Sequence, residues 1–542
     1  MKKAAPDNNS PYILILILVV LLTYSSSIFG VFLLDDQKQI LSNPYTKSFK
    51  YLGAILSGGF EHLDKSVSNY YRPIVEISYI PDYLLWGTDP KGYHLTNILI
   101  HTLTVIILFF LLNALFDKPK ISFFTSLVFA VHPIYTSAVT YLSGRGDLLM
   151  IFFVLLSLFF FVKYLKETKG TGWLFLMISC SSYFLALLTK EASLIILAVV
   201  LLMRLFIKNC RKKWAPAYVL YTAATGLYSL IRSLAIKGFF VTKYEFASSI
   251  SLAERLFTAL ASFLEHFMIL VMPVGLHLDR SIVVSRSFTD PKVLCGLILF
   301  CGILYMIFRL RKTKGPVFIG LAWFLLTYIP VSNLIIPLNT FVAENWIQLP
   351  AIGLFLALTG FVFEHSEHGL KTLFSSLSVF LIAVILFYAA LTIVRNNDYY
   401  NPITFYEQNL KYEPKNVSSL YLLGREYAAK GEVVKAAELY NNALAIDPAN
   451  SNSINNLANI YAQKNDYAKA ISLYRQALST DPENIMVLNN LAITYARIGD
   501  VTNAINCWEK SLKLDPRQPS IRQYIDFYKE NGSPSVVIRK VP

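Results

Sequence analysis

Long apolar runs recur along this chain up to Arg395, and they constrain its fold more than any other feature. The first extends from Ile13 to Leu34, close to the roughly 20 residues that a helix needs to cross a bilayer. With 55% hydrophobic residues and a mean hydropathy of +0.48, the 542-residue chain is too apolar for a soluble globule. The sequence therefore predicts an all-α integral membrane protein over residues 1–396.

Twelve apolar segments are candidates for membrane helices. They lie near residues 12–34, 94–116, 121–143, 148–165, 173–189, 192–207, 214–233, 253–274, 292–308, 316–334, 347–363 and 372–394. The segment near 253–274 carries Glu254, Glu265 and His266, so we expect it to lie at the membrane surface or re-enter rather than cross. About eleven spans remain. If that segment crossed, everything after Arg395 would move to the other side.

The formal net charge of +14 belongs to the membrane half. From Tyr399 to Pro542 there are 16 Lys and Arg against 14 Asp and Glu, so nucleic acid is not the expected partner. Basic links such as that at Lys118 and Lys120 alternate along the chain with other loops, and the positive-inside rule places them in the cytoplasm. The loops that hold Asp35 and Lys190, and the chain after Arg395, then lie on the opposite side.

A 34-residue period defines a second domain over residues 397–542. Prolines mark its period, at Pro414, Pro448, Pro482 and Pro516. The spacing and the pattern of small and aromatic residues are typical of tetratricopeptide repeats, so we expect an α-solenoid. Full repeats are predicted near 415–448, 449–482 and 483–516, followed by a capping helix.

Asn456 and Asn490 occupy equivalent positions in successive repeats. Their amides could bind the backbone of a peptide in the solenoid groove, which resembles the asparagine ladder of the O-GlcNAc transferase repeats. The alternative is that both are ordinary solvated helix residues, because the first repeat has Leu422 at this position.

Ionisable residues cluster at one predicted face of the membrane domain. A long extramembrane loop, residues 35–91, begins with Asp35 and Asp36 and contains amphipathic stretches that suit a membrane surface. Charges at or inside a membrane are costly, so each is a candidate for function. The remaining candidates are Arg72, His132, Arg145, Asp147, Lys190, Glu191 and Glu344. As an alternative, the acid pair only ends the first span.

An ordered set of short motifs resembles the transmembrane and tetratricopeptide-repeat protein O-mannosyltransferases and their bacterial relatives. The motifs are Phe32–Asp36, Tyr71-Arg72-Pro73, Gly92–Leu95 with Asn97 and His101, Ala130–Pro133, Gly144–Leu149, Lys190-Glu191, and Ala343-Glu344 ahead of Leu349-Pro350. The resemblance covers almost the whole chain. Asn345, Gln348 and Ser137 depart from the usual family pattern, which puts the sugar and the acceptor in doubt more than the reaction class.

The resemblance implies the C-type glycosyltransferase fold, a polyprenyl-phosphate sugar as donor and a protein hydroxyl held by the repeats as acceptor. Asp35 or Asp36 would be the general base, with Asp147 as a second acid. It further implies the following roles: Arg72, Arg145 and Lys190 hold the donor phosphate, while His132, Glu191 and Glu344 assist. No cofactor is certain, although a divalent cation could use Asp35 and Asp147.

The alternatives are a non-catalytic membrane-anchored repeat scaffold and a glycosyltransferase that acts on a lipid or a surface glycan. Membrane lipids are expected partners in every case. We expect a bacterial inner membrane with the site and the repeats in the periplasm, or the endoplasmic reticulum membrane with a lumenal site in a eukaryote.

Overall fold

The computed structural model describes residues 9–58, 70–168, 170–204, 211–236, 250–278, 280, 283–335, 338, 340–365 and 371–531. Every regular element in these ranges is helical. The chain divides into two compact units, Met1–Asn401 and Pro402–Pro542, which we call the membrane unit and the repeat unit.

The membrane unit contains helices of very different length. They are α1 (Ser10–Tyr24), α2 (Leu52–Leu56), α3 (Pro73–Trp86), α4 (Pro90–Phe116), α5 (Pro119–Val131), α6 (Thr136–Val139), α7 (Arg145–Lys166), α8 (Gly172–Thr189), α9 (Ile196–Met203), α10 (Arg211–Ile236), α11 (Leu252–Val271), α12 (Pro291–Leu310), α13 (Pro316–Tyr328), α14 (Gln348–His365) and α15 (Lys371–Asn396). Residues 59–69 of the first long loop lie outside the described residues.

Among the described residues, eight helices are long and apolar enough to cross a membrane, or nine if the bent pair of α5 and α6 is one span. Two shorter apolar helices, Glu191–Met203 and Pro316–Val331, lie in two further segments that the sequence predicts as spans. The all-α membrane bundle followed by repeats is therefore confirmed. We call the end of the bundle that carries Asp36 the acid-pair end. The opposite end, which carries Lys118 and Lys120, is the lysine-rich end.

Helix α11 packs against α13, the loop after it and α15. Near its start, Arg255 donates to the carbonyl of Asn333 at 2.7 Å, in the loop after α13. Farther along, the His266 ring contacts the Tyr328 hydroxyl at 3.0 Å, at the end of α13. Its last residue, Val271, accepts from Tyr388 in α15. The loop that follows α11 lies at the acid-pair end, where His277 and Arg280 contact Glu344.

Glycines let helices of the bundle approach closely. A Cβ atom on Gly320 of α13 would lie 2.4 Å from the carbonyl oxygen of Gly353 in α14, and the reverse contact is equally short. Small residues at such crossings allow extensive van der Waals packing between the helices. This packing favours helix association in a membrane, where the lipid is as apolar as the side chains and the hydrophobic effect does not drive helices together. The pair α13 and α14 therefore forms a rigid wall of the bundle.

The repeat unit consists of helices in pairs. They are α16 (Pro402–Tyr412), α17 (Val417–Ala429), α18 (Val433–Ile446), α19 (Ser451–Gln463), α20 (Tyr467–Thr480), α21 (Ile485–Arg497), α22 (Val501–Leu514) and α23 (Pro519–Asn531). The side chains of Asn416, Asn450 and Asn484, 34 residues apart, each accept a backbone N–H of the first turn of α17, α19 or α21.

The same period sets the turn and the core of each repeat. The turn between paired helices needs a left-handed residue, which is Gly431 (φ 80°), Asn465 (φ 62°) or Gly499 (φ 83°). Fully buried aromatic rings fill the space between paired helices at Tyr440, Tyr474 and Trp508. Because the turn residue and the buried aromatic residue recur at the same spacing in each repeat, the sequence predicts these repeats directly.

Candidate functional site

The two acids of the opening pair have different environments. Asp36 is completely buried, and its carboxylate accepts the N–H of Leu33 at 2.8 Å, the N–H of Ser143 at 2.7 Å and the Ser143 hydroxyl. Asp35 is exposed, and its carboxylate has no hydrogen-bond or ion-pair partner among the described residues. The preceding residue, Leu34, has a φ of 45°, an uncommon value outside glycine.

Burial raises the pKa of the Asp36 carboxyl to about 7, because desolvation opposes the charged form. The hydrogen bonds from Leu33 and Ser143 act in the opposite direction, and the neighbouring Asp35 adds to the rise. Asp36 thus attaches the first loop to the turn before α7. The burial that this contact requires makes ionisation of the acid unfavourable below about neutral pH.

Asp147 is the centre of a second group at this end. One of its oxygens pairs with the Lys190 ammonium and the other accepts from the Asn345 amide at 3.2 Å. Asp147 lies at the start of α7, Lys190 in the turn before α9 and Asn345 in the turn before α14. The structure therefore joins three distant parts of the chain through one carboxylate.

Arg72 and Glu191 form a neighbouring ion pair at 2.9 Å, with about a third of each side chain exposed. The guanidinium also lies 4.2 Å from the centre of the Tyr70 ring. Arg72 thus remains accessible at the acid-pair end, while Glu191 and Tyr70 hold its orientation.

The structure argues against Arg145 as a contact for phosphate. Its guanidinium is fully buried, pairs with Asp82 at 2.5 Å and donates from Nε to Asn97 at 2.7 Å. Further donors reach the carbonyls of Ser78 and Tyr93 at 3.0 and 3.1 Å. Because the guanidinium is fully buried and its charge is paired with Asp82, Arg145 instead ties α3 and α4 to the start of α7.

His132 has a structural environment as well. Its Nε2 contacts the Leu270 carbonyl of α11 at 3.0 Å, and its Nδ1 accepts the N–H of Ile134 at 3.2 Å. The bend at Pro133 leaves carbonyls of α5 without helical partners, and Thr392 supplies one of the missing donors, to Val131, at 2.6 Å. A carbonyl that the proline leaves without a helical partner is thus satisfied inside the bundle.

Glu344 carries contacts that the sequence does not reveal. It is buried and accepts from Arg395 at 2.6 Å and from the His277 N–H at 2.6 Å. Arg280, from the loop after α11, approaches the same carboxylate at 3.5 Å. In the sequence, the only signal that Arg280 and Arg395 could be functional residues is their charge. Nothing in their spacing predicts that they contact Glu344.

The described residues contain no group of three or more His, Cys, Asp or Glu side chains arranged for a metal ion. Asp147 in particular already engages Lys190 and Asn345. The donor set for a divalent cation is therefore not assembled around Asp147, and we derive no step through a metal.

The predicted peptide-binding amides are half-buried and partly engaged. Asn490 donates to Asn455 at 3.0 Å, and Asn456 donates to the Tyr440 hydroxyl at 3.4 Å. Asn455 in turn donates to Asn456 at 3.3 Å. These bonds link neighbouring repeats, and the Asn490 side-chain carbonyl is left without a partner among the described residues.

Two family models match this chain. The model of dolichyl-phosphate-mannose-protein mannosyltransferase covers residues 83–235, and that of the cytochrome c-type biogenesis protein H TPR domain covers residues 407–521. The first includes the turn before α7 and the Lys190-Glu191 pair. The second confirms the predicted class of repeat.

Curated relatives extend over most of the chain. A protein O-mannosyl-transferase of Caenorhabditis elegans is 27% identical over 80% of this chain and 62% of its own length. Another, from Mus musculus, is 26% identical over 81% of this chain and 51% of its own. The chain thus spans half to two thirds of these relatives. The resemblance predicted from the ordered motifs is confirmed.

A solved structure of the archaeal oligosaccharyltransferase AglB from Archaeoglobus fulgidus, in complex with an inhibitory peptide and a dolichol-phosphate, aligns with 77% of this chain and 58% of its own. The TM-score is 0.39 and the identity 14%, values too low to establish a common fold.

Proposed function

We propose that this membrane protein is a glycosyltransferase that moves mannose or a similar hexose from a polyprenyl-phosphate carrier to Ser or Thr hydroxyls of proteins. One observation carries the proposal: Asp35 presents a carboxylate without a partner at the bundle end where Arg72 and Lys190 also lie. The names of the matched family and of the relatives support the same chemistry.

The two acids divide the work. Asp35 is the general base, because its carboxylate is free to meet a hydroxyl in solvent. Asp36 is a positioning residue, because all its hydrogen bonds go to Leu33 and Ser143 and its burial prevents contact with a substrate. Anchoring Asp36 fixes where its neighbour points, which a base needs for proton transfer at hydrogen-bond distance.

The reaction is a displacement at the anomeric carbon. The acceptor hydroxyl gives its proton to Asp35 as its oxygen forms the bond to C1 of the sugar. The bond from C1 to the phosphate oxygen breaks on the opposite face, which inverts the configuration and releases polyprenyl phosphate. Preorganised cations stabilise the charge on that leaving group.

Arg72 and Lys190 are the cations that we assign to the phosphate among the predicted residues. Each is held by a carboxylate partner, Glu191 and Asp147, so neither side chain has to be ordered when the donor arrives. Asn345 shares Asp147 with Lys190 and thereby helps to fix it. We do not assign Arg145 to this set because its guanidinium is fully buried and paired with Asp82.

The repeat unit binds the acceptor protein. Solenoids of this kind present an extended groove to polypeptides, and Asn456 and Asn490 are our candidates for contacts to the peptide backbone. We place the reaction on the face opposite the basic loops, in the periplasm of a bacterium or the lumen of the endoplasmic reticulum in a eukaryote.

The test uses the purified full chain with a labelled mannosyl-phosphoryl-polyprenol and Ser/Thr-containing peptides. We expect transfer by the wild type and a loss of at least about 100-fold in kcat for Asp35→Asn, as for removal of a general base. Asp117→Asn is the matched control, because it makes the same change in an exposed turn at the lysine-rich end.

Full activity of Asp35→Asn would refute the assigned base. Transfer only to a lipid or glycan acceptor, offered in parallel, would favour that alternative within the enzyme class. Absence of transfer with every donor and acceptor would favour the non-catalytic scaffold.

A further inference from the structure

We propose that Arg280, in the loop between α11 and α12, is a further contact for the phosphate of the lipid carrier. This inference rests on the proposed function for its ligand, but it concerns a residue that neither the sequence motifs nor the comparisons indicate. It follows from the hydrogen bonds of the arginines at the acid-pair end.

In two of these arginines the Nε atom donates to the protein itself. The Nε of Arg145 donates to Asn97 at 2.7 Å, and that of Arg395 donates to the Thr136 hydroxyl at 2.6 Å. Arg280 is different, because its Nε is buried and has no hydrogen-bond partner among the described residues. A buried donor without an acceptor is costly and rare, so an anionic ligand at this atom would explain its retention.

The other atoms of Arg280 show that the side chain is held in place. Its Nη1 lies 3.3 Å from Glu265, and its Nη2 donates to the Gly275 carbonyl at 3.2 Å and lies 3.5 Å from Glu344. The side chain is only 11% exposed. A guanidinium that is fixed at two nitrogens and keeps an unpartnered donor at the third is oriented in advance for an anion.

The group also adjoins the proposed reaction site. Glu344 is followed directly by Asn345, whose amide contacts Asp147, and Asp147 in turn contacts Lys190. Arg280 is thus connected to Lys190 through consecutive contacts at the same bundle end.

The experiment measures binding of polyprenyl phosphate, which carries the phosphate and no sugar, to the full chain in lipid nanodiscs. We expect Arg280→Gln to weaken binding by about tenfold or more, the usual worth of a hydrogen bond between charged groups. Arg280→Lys, which keeps the charge but loses the fork, should lie between the two. Arg286→Gln is the matched control, because Arg286 is in the same loop with 84% of its side chain exposed.

Unchanged affinity in Arg280→Gln, or no binding by the wild type, would overturn the inference. An equal loss of affinity in Arg280→Gln and in the control Arg286→Gln would also overturn it. So would an Arg280→Gln variant whose thermal unfolding midpoint falls while its affinity for polyprenyl phosphate is unchanged. Inorganic phosphate at the same concentration should compete poorly, since the lipid chain supplies most of the affinity for the carrier. Because binding is read without transfer, the result stands even if the proposed reaction fails its own test.

Discussion

The burial of Asp36 predicts an unusual dependence of stability on pH. The pKa of this carboxyl rises from an ordinary 3.8 to about 7 in the fold, so ionisation is easier in the unfolded chain. The stability that the protonated acid contributes is complete below about pH 4 and is lost as the pH rises through 7. At about 1.4 kcal/mol per pKa unit, the whole effect is about 4 kcal/mol.

The perturbation is Asp36→Asn, which imitates the protonated acid and cannot ionise. Between pH 5 and pH 8 the wild type should lose about 2.5 kcal/mol of unfolding free energy relative to this variant, from the linkage of the two pKa values. Thermal unfolding in detergent micelles at a series of pH values gives this difference. Asp117→Asn, with the same chemical change in an exposed turn, should keep the slope of the wild type. An Asp36→Asn slope identical to that of the wild type would refute the reasoning.

Two other predictions concern packing and acceptor binding. Gly320→Ala should destabilise the protein by about 1–3 kcal/mol, because the new Cβ meets the Gly353 backbone at 2.4 Å, whereas Gly302→Ala, with open space around it, should be neutral or slightly stabilising in the same melting assay. The double variant Asn456→Ala/Asn490→Ala should raise the KM for a protein acceptor severalfold with kcat unchanged; an unchanged KM would remove these amides from the acceptor site.

The sequence predicts the elements of this protein better than their contacts. Apolar runs and a 34-residue period arise from local rules of length and spacing, so the spans and the repeats could be read directly. The charged segment near 253–274 is informative for the same reason, since Glu254, Glu265 and His266 would each be costly inside a bilayer.

The candidate site was only partly predictable. The sequence grouped Asp36, Asp147 and Lys190 at one end, but adjacency could not tell the buried acid from the exposed one, because the burial of Asp36 depends on its contacts with the distant Ser143. The ion pair that buries Arg145 could not be predicted either, because its partner Asp82 is 63 residues away in sequence. Arg280 was missed because only the packing of α11 brings its loop to Glu344.

The position of α11 also bears on how the protein is made. In the predicted topology α11 does not cross, so it leaves the direction of the four spans after it unchanged, and the basic cluster from Arg309 to Lys314 falls on the cytoplasmic side as the positive-inside rule expects. If apolar residues replaced Glu254 and Glu265, the translocation machinery could accept α11 as a stop-transfer segment. The remaining spans would then insert in reverse, and Glu344 and Arg395 would lie on the far side of the membrane from Asp35. In this topology, a few charges on one helix determine on which side these residues are assembled.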